Sequence, residues 1–180
     1  MKKYLYLLLF LFAATIVNAQ PSPASADEIL KEACQQAAKE KKNVFIIFHA
    51  SWCVWCHRMD SSMNDPACKK FFDDNYVVRH MVVDESKDKK NLENPGANEM
   101  RNKYGGGDQG IPYWLIIDAS GRLVFNSRIR SGDSLGNNVG CPAAENEVNY
   151  FIEVLKKTSN LTQSPADEQA IIARFRKNEH

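Results

Sequence analysis

Two cysteines two residues apart, Cys53-Val54-Trp55-Cys56, stand directly behind the apolar run Val44-Phe45-Ile46-Ile47-Phe48. A short apolar run of this kind reads as a buried strand, and Met59 and Met63 after the pair keep helical spacing with Cys56. The pair therefore opens a helix at the end of a strand. Thiols at this spacing lie one turn apart and form a reversible disulfide. The partial positive charge of a helix N-terminus stabilises the first thiolate, lowering its pKa from about 8.5 to roughly 3.5–7.5.

The rest of the chain supplies alternating helices and strands around that junction. Ser25 and Glu28 form a capping box, followed by Leu30, Ala33, Cys34, Ala37 and Ala38 on one helical face that ends near Lys42. Asp65 and Pro66 mark a second helical piece running to Asn75, and Tyr76 to Val83 reads as a strand. Glu85 to Gly110 is long and polar, with one short helix around Ala97 to Tyr104; loops of that length are often functional. Tyr113 to Ile117 and Leu123 to Phe125, joined by Asp118-Ala119-Ser120-Gly121, predict an antiparallel hairpin. A helix is expected from Pro142 with Val148, Phe151, Ile152 and Leu155 inward, and a last one from Ser164-Pro165 carrying Ile171, Ile172 and Phe175.

The N-terminus has a different character. Lys2 and Lys3, the apolar stretch Leu5 to Val17 and the small-residue pattern Val17-Asn18-Ala19 fit a signal peptide over residues 1–19. The stretch falls short of the roughly 20 residues of a membrane span, and no cysteine follows Ala19 to take a lipid. Residues 20–25 then form a short tether, and 26–180 one domain. Loss of Lys2 and Lys3 takes the 23 basic residues to 21, against 22 acidic ones. Such a balance points to neither nucleic acid nor an anionic membrane surface. Export places the five cysteines where disulfides persist, and an odd number leaves at least one free, transiently bonded or paired with another chain. No retention signal of the KDEL type ends the chain, so a periplasmic or secreted location is expected.

Phe48-His49-Ala50-Ser51-Trp52-Cys53, the Cys-Val-x-Cys pair with Asn64-Asp65-Pro66, and the later Ile111-Pro112 resemble the thioredoxin superfamily. Within it they look like exported thioredoxin-like domains, for example the C-terminal domain of the periplasmic thiol reductant DsbD and related small thioredoxins. The resemblance covers roughly residues 26–157. It implies an α/β thioredoxin-like fold: a central mixed sheet flanked by helices, here with an extra leading helix and an extra C-terminal helix. It also implies a thiol–disulfide oxidoreductase acting on exported proteins and recharged by a membrane or soluble thiol donor, with no cofactor beyond the Cys53–Cys56 disulfide and no metal.

The roles that follow are those of the family. Cys53 is the nucleophile and Cys56 the resolving thiol. Pro112 is expected to be cis and to face the disulfide, with the Ile111 backbone pairing with substrate as an added strand. Trp52 matches the tryptophan that covers the site. Trp55 replaces the usual small or polar residue between the cysteines, either as a platform for substrate or packed on its own helix. Val139-Gly140 matches the pair lining the substrate groove, which puts Cys141 on the rim at a helix N-terminus, as a third redox thiol or an inert small residue. Cys34 and Cys68 read as small core residues.

One departure bears on mechanism. Thioredoxins place a buried Asp six residues before the first cysteine, to take the proton of the resolving thiol; here that residue is Ile47. His49 and His57 are the candidate proton carriers, with imidazole pKa values near 6.5. Without the Asp, reductant is only slightly favoured over oxidase or isomerase. Two other readings use the same residues: Cys53-Val54-Trp55-Cys56-His57 spells a c-type haem attachment motif, and the pair with a histidine could hold copper or zinc in a non-enzymatic binding module.

Overall fold

The computed structural model describes residues 22–132 and 134–179. The expected signal peptide, residues 1–19, lies outside them. Among the described residues no helix is long and apolar enough to cross a membrane.

Helix α1, Ala26–Glu40, starts on the foreseen capping box: the Ser25 hydroxyl accepts from the Glu28 N–H, and the Ser25 N–H donates to the Glu28 carboxylate at 2.9 Å. Strand β1, Asn43–His49, follows, with every residue from Val44 to Phe48 buried. Next come α2, Val54–Met63, α3, Lys69–Asn75, and β2, Tyr76–Val82. A 3₁₀ turn over Lys87–Leu92 and α4, Ala97–Lys103, fill the long polar segment. Strands β3, Tyr113–Ile117, and β4, Leu123–Asn126, form the predicted hairpin. A second hairpin, β5, Arg128–Ser131, and β6, Ser134–Asn138, precedes α5, Glu145–Thr158, and α6, Pro165–Arg176.

The main sheet has the order β2-β1-β3-β4, with β1 parallel to β2 and antiparallel to β3. It is the mixed sheet the resemblance implied. Side chains of β1 alternate between its two faces. Phe45 and Ile47 meet Met59, Phe72, Phe151 and Phe175, from α2, α3, α5 and α6. Val44, Ile46 and Phe48 meet Ala33 and Ala37 of α1 and Met100 of α4. Phe151 joins the two layers of the first core, its ring 5.6 Å from Trp114 and 5.0 Å from Phe175. The C-terminal helix α6 is thus docked through fully buried Phe175 rather than trailing from the domain.

Two helix starts and one hairpin differ from the sequence reading. Residues 65–68 form a separate turn, in which the Asp65 carbonyl accepts from Cys68 and its carboxylate from Ala67, so α3 begins only at Lys69. Helix α5 begins at Glu145, because Glu147 reaches back to accept from the N–H groups of Ala143 and Ala144 and fixes the entry there. The β5–β6 hairpin was not expected at all.

Candidate active site

Strand β1 delivers the chain through Ala50 into a tight turn, in which the Cys53 N–H donates to the Ala50 carbonyl at 3.1 Å. Cys53 is the N-cap of α2, and its Sγ accepts from the Cys56 N–H at 3.1 Å. A sulfur here occupies the place where Ser, Thr or Asp usually receives an orphan backbone donor. It gains most from that donor, and from the helix dipole, when it carries negative charge. Cys53 and Cys56 are joined as a disulfide with Cα atoms 5.3 Å apart. Both are buried, Cys53 at 4% and Cys56 at 1% exposure.

The surroundings of the pair are apolar and open. Trp52, Val54 and Trp55, the chain neighbours of Cys53 and Cys56, are exposed. The indole N–H of Trp52 donates to the Asp84 carbonyl at 2.8 Å, and the Arg58 guanidinium lies 4.6 Å over the Trp55 ring. Trp55 therefore stands at the surface rather than inside the core. Ile111 packs on Ala50, Cys53 and Cys56, its carbonyl oxygen 3.6 Å from the Cys53 Sγ. The Ile111–Pro112 peptide is cis. Trp55, Ile111, Pro112, Val139, Gly140 and Cys141 line one groove of about 430 Å³.

Cys141 needs a correction. It lies four residues before the first residue of α5, not at a helix N-terminus, and it is buried. Burial pushes its thiol up to about 12. Its Sγ lies 3.4 Å from the side-chain amide of Asn178. Cys68 is likewise buried, its thiol pushed up to about 11, while Cys34 is half-buried with its thiol raised by the same cause.

Ile47 is 1% exposed and packed in the core, so no carboxylate occupies that place. His49 lies two residues further along β1 and thus on the same face of the sheet. It is half-buried, its ring centroid 5.0 Å from that of His80, whose Nε2 is 2.7 Å from Asp60 Oδ1. Burial first, and the nearby His80 second, hold the His49 pKa below its ordinary value. His57 is exposed, with Nε2 3.0 Å from the Ser51 carbonyl. Since a carbonyl only accepts, that nitrogen carries the proton.

Sequence reasoning missed the residue that grips the turn before Cys53. Glu85 is buried, and its two carboxylate oxygens accept from the Ser51 N–H at 2.6 Å and the Ser51 hydroxyl at 2.8 Å. Burial alone would raise this carboxyl, but the two Ser51 bonds, with Lys89 and His49 nearby, together outweigh it and hold the pKa below the ordinary value. Asp84 beside it has a positive φ of 52°, is paired with buried Arg101 at 2.5 Å, and offers the carbonyl that Trp52 uses. In sequence, Glu85 is one acid in a polar stretch, and no local pattern distinguishes it.

A redox-active CxxC disulfide at the head of a helix, with exposed tryptophans beside it in the chain and an Ile-Pro loop packed on it, is the apparatus of a protein-disulfide oxidoreductase. Among the described residues no group of three or more His, Cys, Asp and Glu side chains is placed to hold a metal ion. No curated protein matches the chain. Similar solved structures include a disulphide isomerase from Xylella fastidiosa Temecula1, 17% identical over 87% of this chain and 93% of that one, with a TM-score of 0.49. The oxidised C-terminal domain of DsbD from Neisseria meningitidis is 18% identical over 76% of this chain and 98% of that one, with a TM-score of 0.42. A thioredoxin from Thermus thermophilus is 18% identical over 76% and 86%, with a TM-score of 0.44. The family model described as thioredoxin-like matches residues 26–119, more than half of the sequence. The chain belongs to the thioredoxin-like family.

Proposed function

We propose that the protein is exported after cleavage behind Ala19, leaving the tether 20–25 and the domain 26–180, and reduces disulfides in other exported proteins. The observation that carries this reading is the Cys53 Sγ at the N-cap of α2, receiving the Cys56 N–H. In the dithiol form the Cys53 thiolate attacks one sulfur of a substrate disulfide and expels the other as a thiolate. Cys56 then attacks the Cys53 sulfur of the mixed disulfide, closing the internal bond and releasing the second substrate thiol. The substrate gains two electrons and two protons, and a thiol donor in the membrane or in solution restores the dithiol.

Substrate would lie along the groove against the Ile111 backbone, with Trp52 and Trp55 supplying apolar contact. Cys56 must lose its proton before it attacks, and Ile47 cannot take it. We assign that task to His49, which burial keeps in its neutral form, free to accept a proton, near pH 7. His57 is tied to Ser51 and exposed.

The midpoint potential of the Cys53/Cys56 couple, measured against glutathione together with turnover of insulin disulfides, tests the reading. A value near the roughly −270 mV of thioredoxin is expected, and one near about −120 mV, as in DsbA, would make the protein an oxidase. Failure to reduce insulin at any potential would remove the enzymatic reading.

A further inference from the structure

Asn138, the last residue of β6, sits in the wall of the groove and spends its side chain on the loop that faces the disulfide. Its Nδ2 donates to the Gly110 carbonyl at 2.7 Å and to the Pro112 carbonyl at 3.0 Å, while Oδ1 accepts from the Gly140 N–H at 3.0 Å. The amide has one orientation here. Turned over, it would set oxygen against two carbonyl oxygens and an NH₂ group against an N–H. Gly110 and Pro112 flank Ile111, so one side chain grips the Ile111 segment from both sides. The carbonyl of Ile111 is the atom 3.6 Å from the Cys53 sulfur.

The anchor itself is held in place. The Asn138 N–H donates to the Gln109 side chain at 2.9 Å. Arg128 of β5 donates to the Gly136 carbonyl at 2.7 Å and the Gly105 carbonyl at 3.2 Å, stapling the hairpin to the segment that leads into the Ile-Pro loop. Gly140, whose N–H Asn138 accepts, takes a φ of +62°, open to glycine without strain. The β5–β6 hairpin thus grips the loop that faces the disulfide through the Asn138 side-chain amide.

We propose that Asn138 is a positioning residue for substrate, and this rests on the oxidoreductase reading. Its amide fixes the direction of the Ile111 peptide, the edge on which an extended polypeptide aligns, and so sets the preference for disulfides in polypeptides over small ones. A small disulfide needs only the Cys53 sulfur. A polypeptide also needs the backbone edge, and hydrogen bonds misdirected by a loose loop are lost at about a factor of ten per 1.4 kcal/mol.

The test compares the reduced full chain with N138A and N138D on two substrates, a linear peptide closed by one disulfide and 2-hydroxyethyl disulfide. Asp keeps the shape of Asn but puts acceptors against two carbonyls, so N138D should be the worse variant. The expected result is a kcat/KM ratio, peptide over small disulfide, lowered about tenfold in N138A, chiefly through KM. Equal losses on both substrates, or none on either, would overturn the inference while leaving the enzyme an oxidoreductase. A wild-type protein inert toward both substrates would instead remove the reading on which the inference rests. Should neither variant fold, C56S carries the test, trapped as a mixed disulfide with the peptide or capped by 2-mercaptoethanol. The NMR signals of the Asn138 side-chain NH₂ should differ between the two adducts, and identical signals would overturn the proposal.

Discussion

Cys53 and Cys141 are almost equally hidden, at 4% and 5% of full exposure, and border the same groove, Cys141 in its lining and Cys53 against Ile111 at its edge. What surrounds them differs. Cys53 caps a helix, takes a backbone N–H on its sulfur, and has exposed Trp52, Val54 and Trp55 as chain neighbours. Cys141 precedes its helix by four residues and lies among core side chains, where desolvation pushes its thiol up to about 12. The contrast teaches that burial alone does not decide the fate of a cysteine. At Cys141 the single side-chain N–H from Asn178, at 3.4 Å, does not offset the desolvation of the anion, whereas Cys53 has a backbone donor and the end of a helix.

The largest expected effect follows at once. Cys53→Ser should lose all measurable insulin reduction and yet melt within a few degrees of the wild type, because serine is itself a preferred N-cap. In the reduced wild type at pH 8, iodoacetamide should modify Cys53 first. A thiol titrating near 12 offers about one part in ten thousand as thiolate, so Cys141 should react only after denaturation. Mass-mapped labelling that found the two sulfurs equally fast would break the comparison.

A smaller effect sharpens the same contrast from the closed side. Asn178, in the 3₁₀ turn after α6, is buried, and its side-chain amide lies 3.0 Å from the Ser62 hydroxyl, 3.4 Å from the Cys141 sulfur and 3.3 Å from the Pro142 carbonyl. Its Oδ1 accepts from Arg174 at 3.3 Å. Asn178→Ala strips these groups of a partner in a site that excludes water, and should cost about 1–3 kcal/mol in urea unfolding. Native-state labelling of Cys141 should accelerate in this variant. Unchanged stability would mean that the C-terminal turn does not seal this end of the groove.

The sequence exposed one side of this contrast far better than the other. The disulfide, the strand that delivers it, the capping box of α1 and the Ile111-Pro112 loop each rest on residues within a few positions of one another, where periodicity and motif speak directly. Asn138, Glu85 and Asn178 are ordinary polar residues in segments without apolar rhythm. They gain their roles from partners 26, 34 and 116 positions away. The β5–β6 hairpin was illegible for the same reason: β6 is exposed along most of its length, and Arg128 ties the hairpin down through carbonyls rather than an apolar face. The buried state of Cys141 depends on α6 and the turn beyond it folding back, which no local pattern announces.

His49 gives the smallest effect and asks whether burial acts on the open side at all. Desolvation resists charge of either sign, raising a thiol and lowering an imidazole. The groups around His49 are His80 of β2, Asp60 and His57 of α2, and Glu85 of the loop after β2; burial first, with His80, outweighs the two carboxylates. A histidine with a lowered folded pKa binds its proton more weakly folded than unfolded. Its contribution is therefore intact above the unfolded value of about 6.5 and is lost as pH falls through that value toward the folded one. Unfolding in urea at pH 7 and pH 5, for wild type and His49→Gln, isolates that part, since Glu85 with its lowered carboxyl titrates further down. The wild type should weaken more than the variant between the two values. Equal weakening would show the imidazole to be as free to charge as in water. The N-terminus of α2 would then lie in a solvated setting, where its dipole and the Cys56 N–H have little desolvation to offset, and the difference between the two cysteines would reduce to access alone.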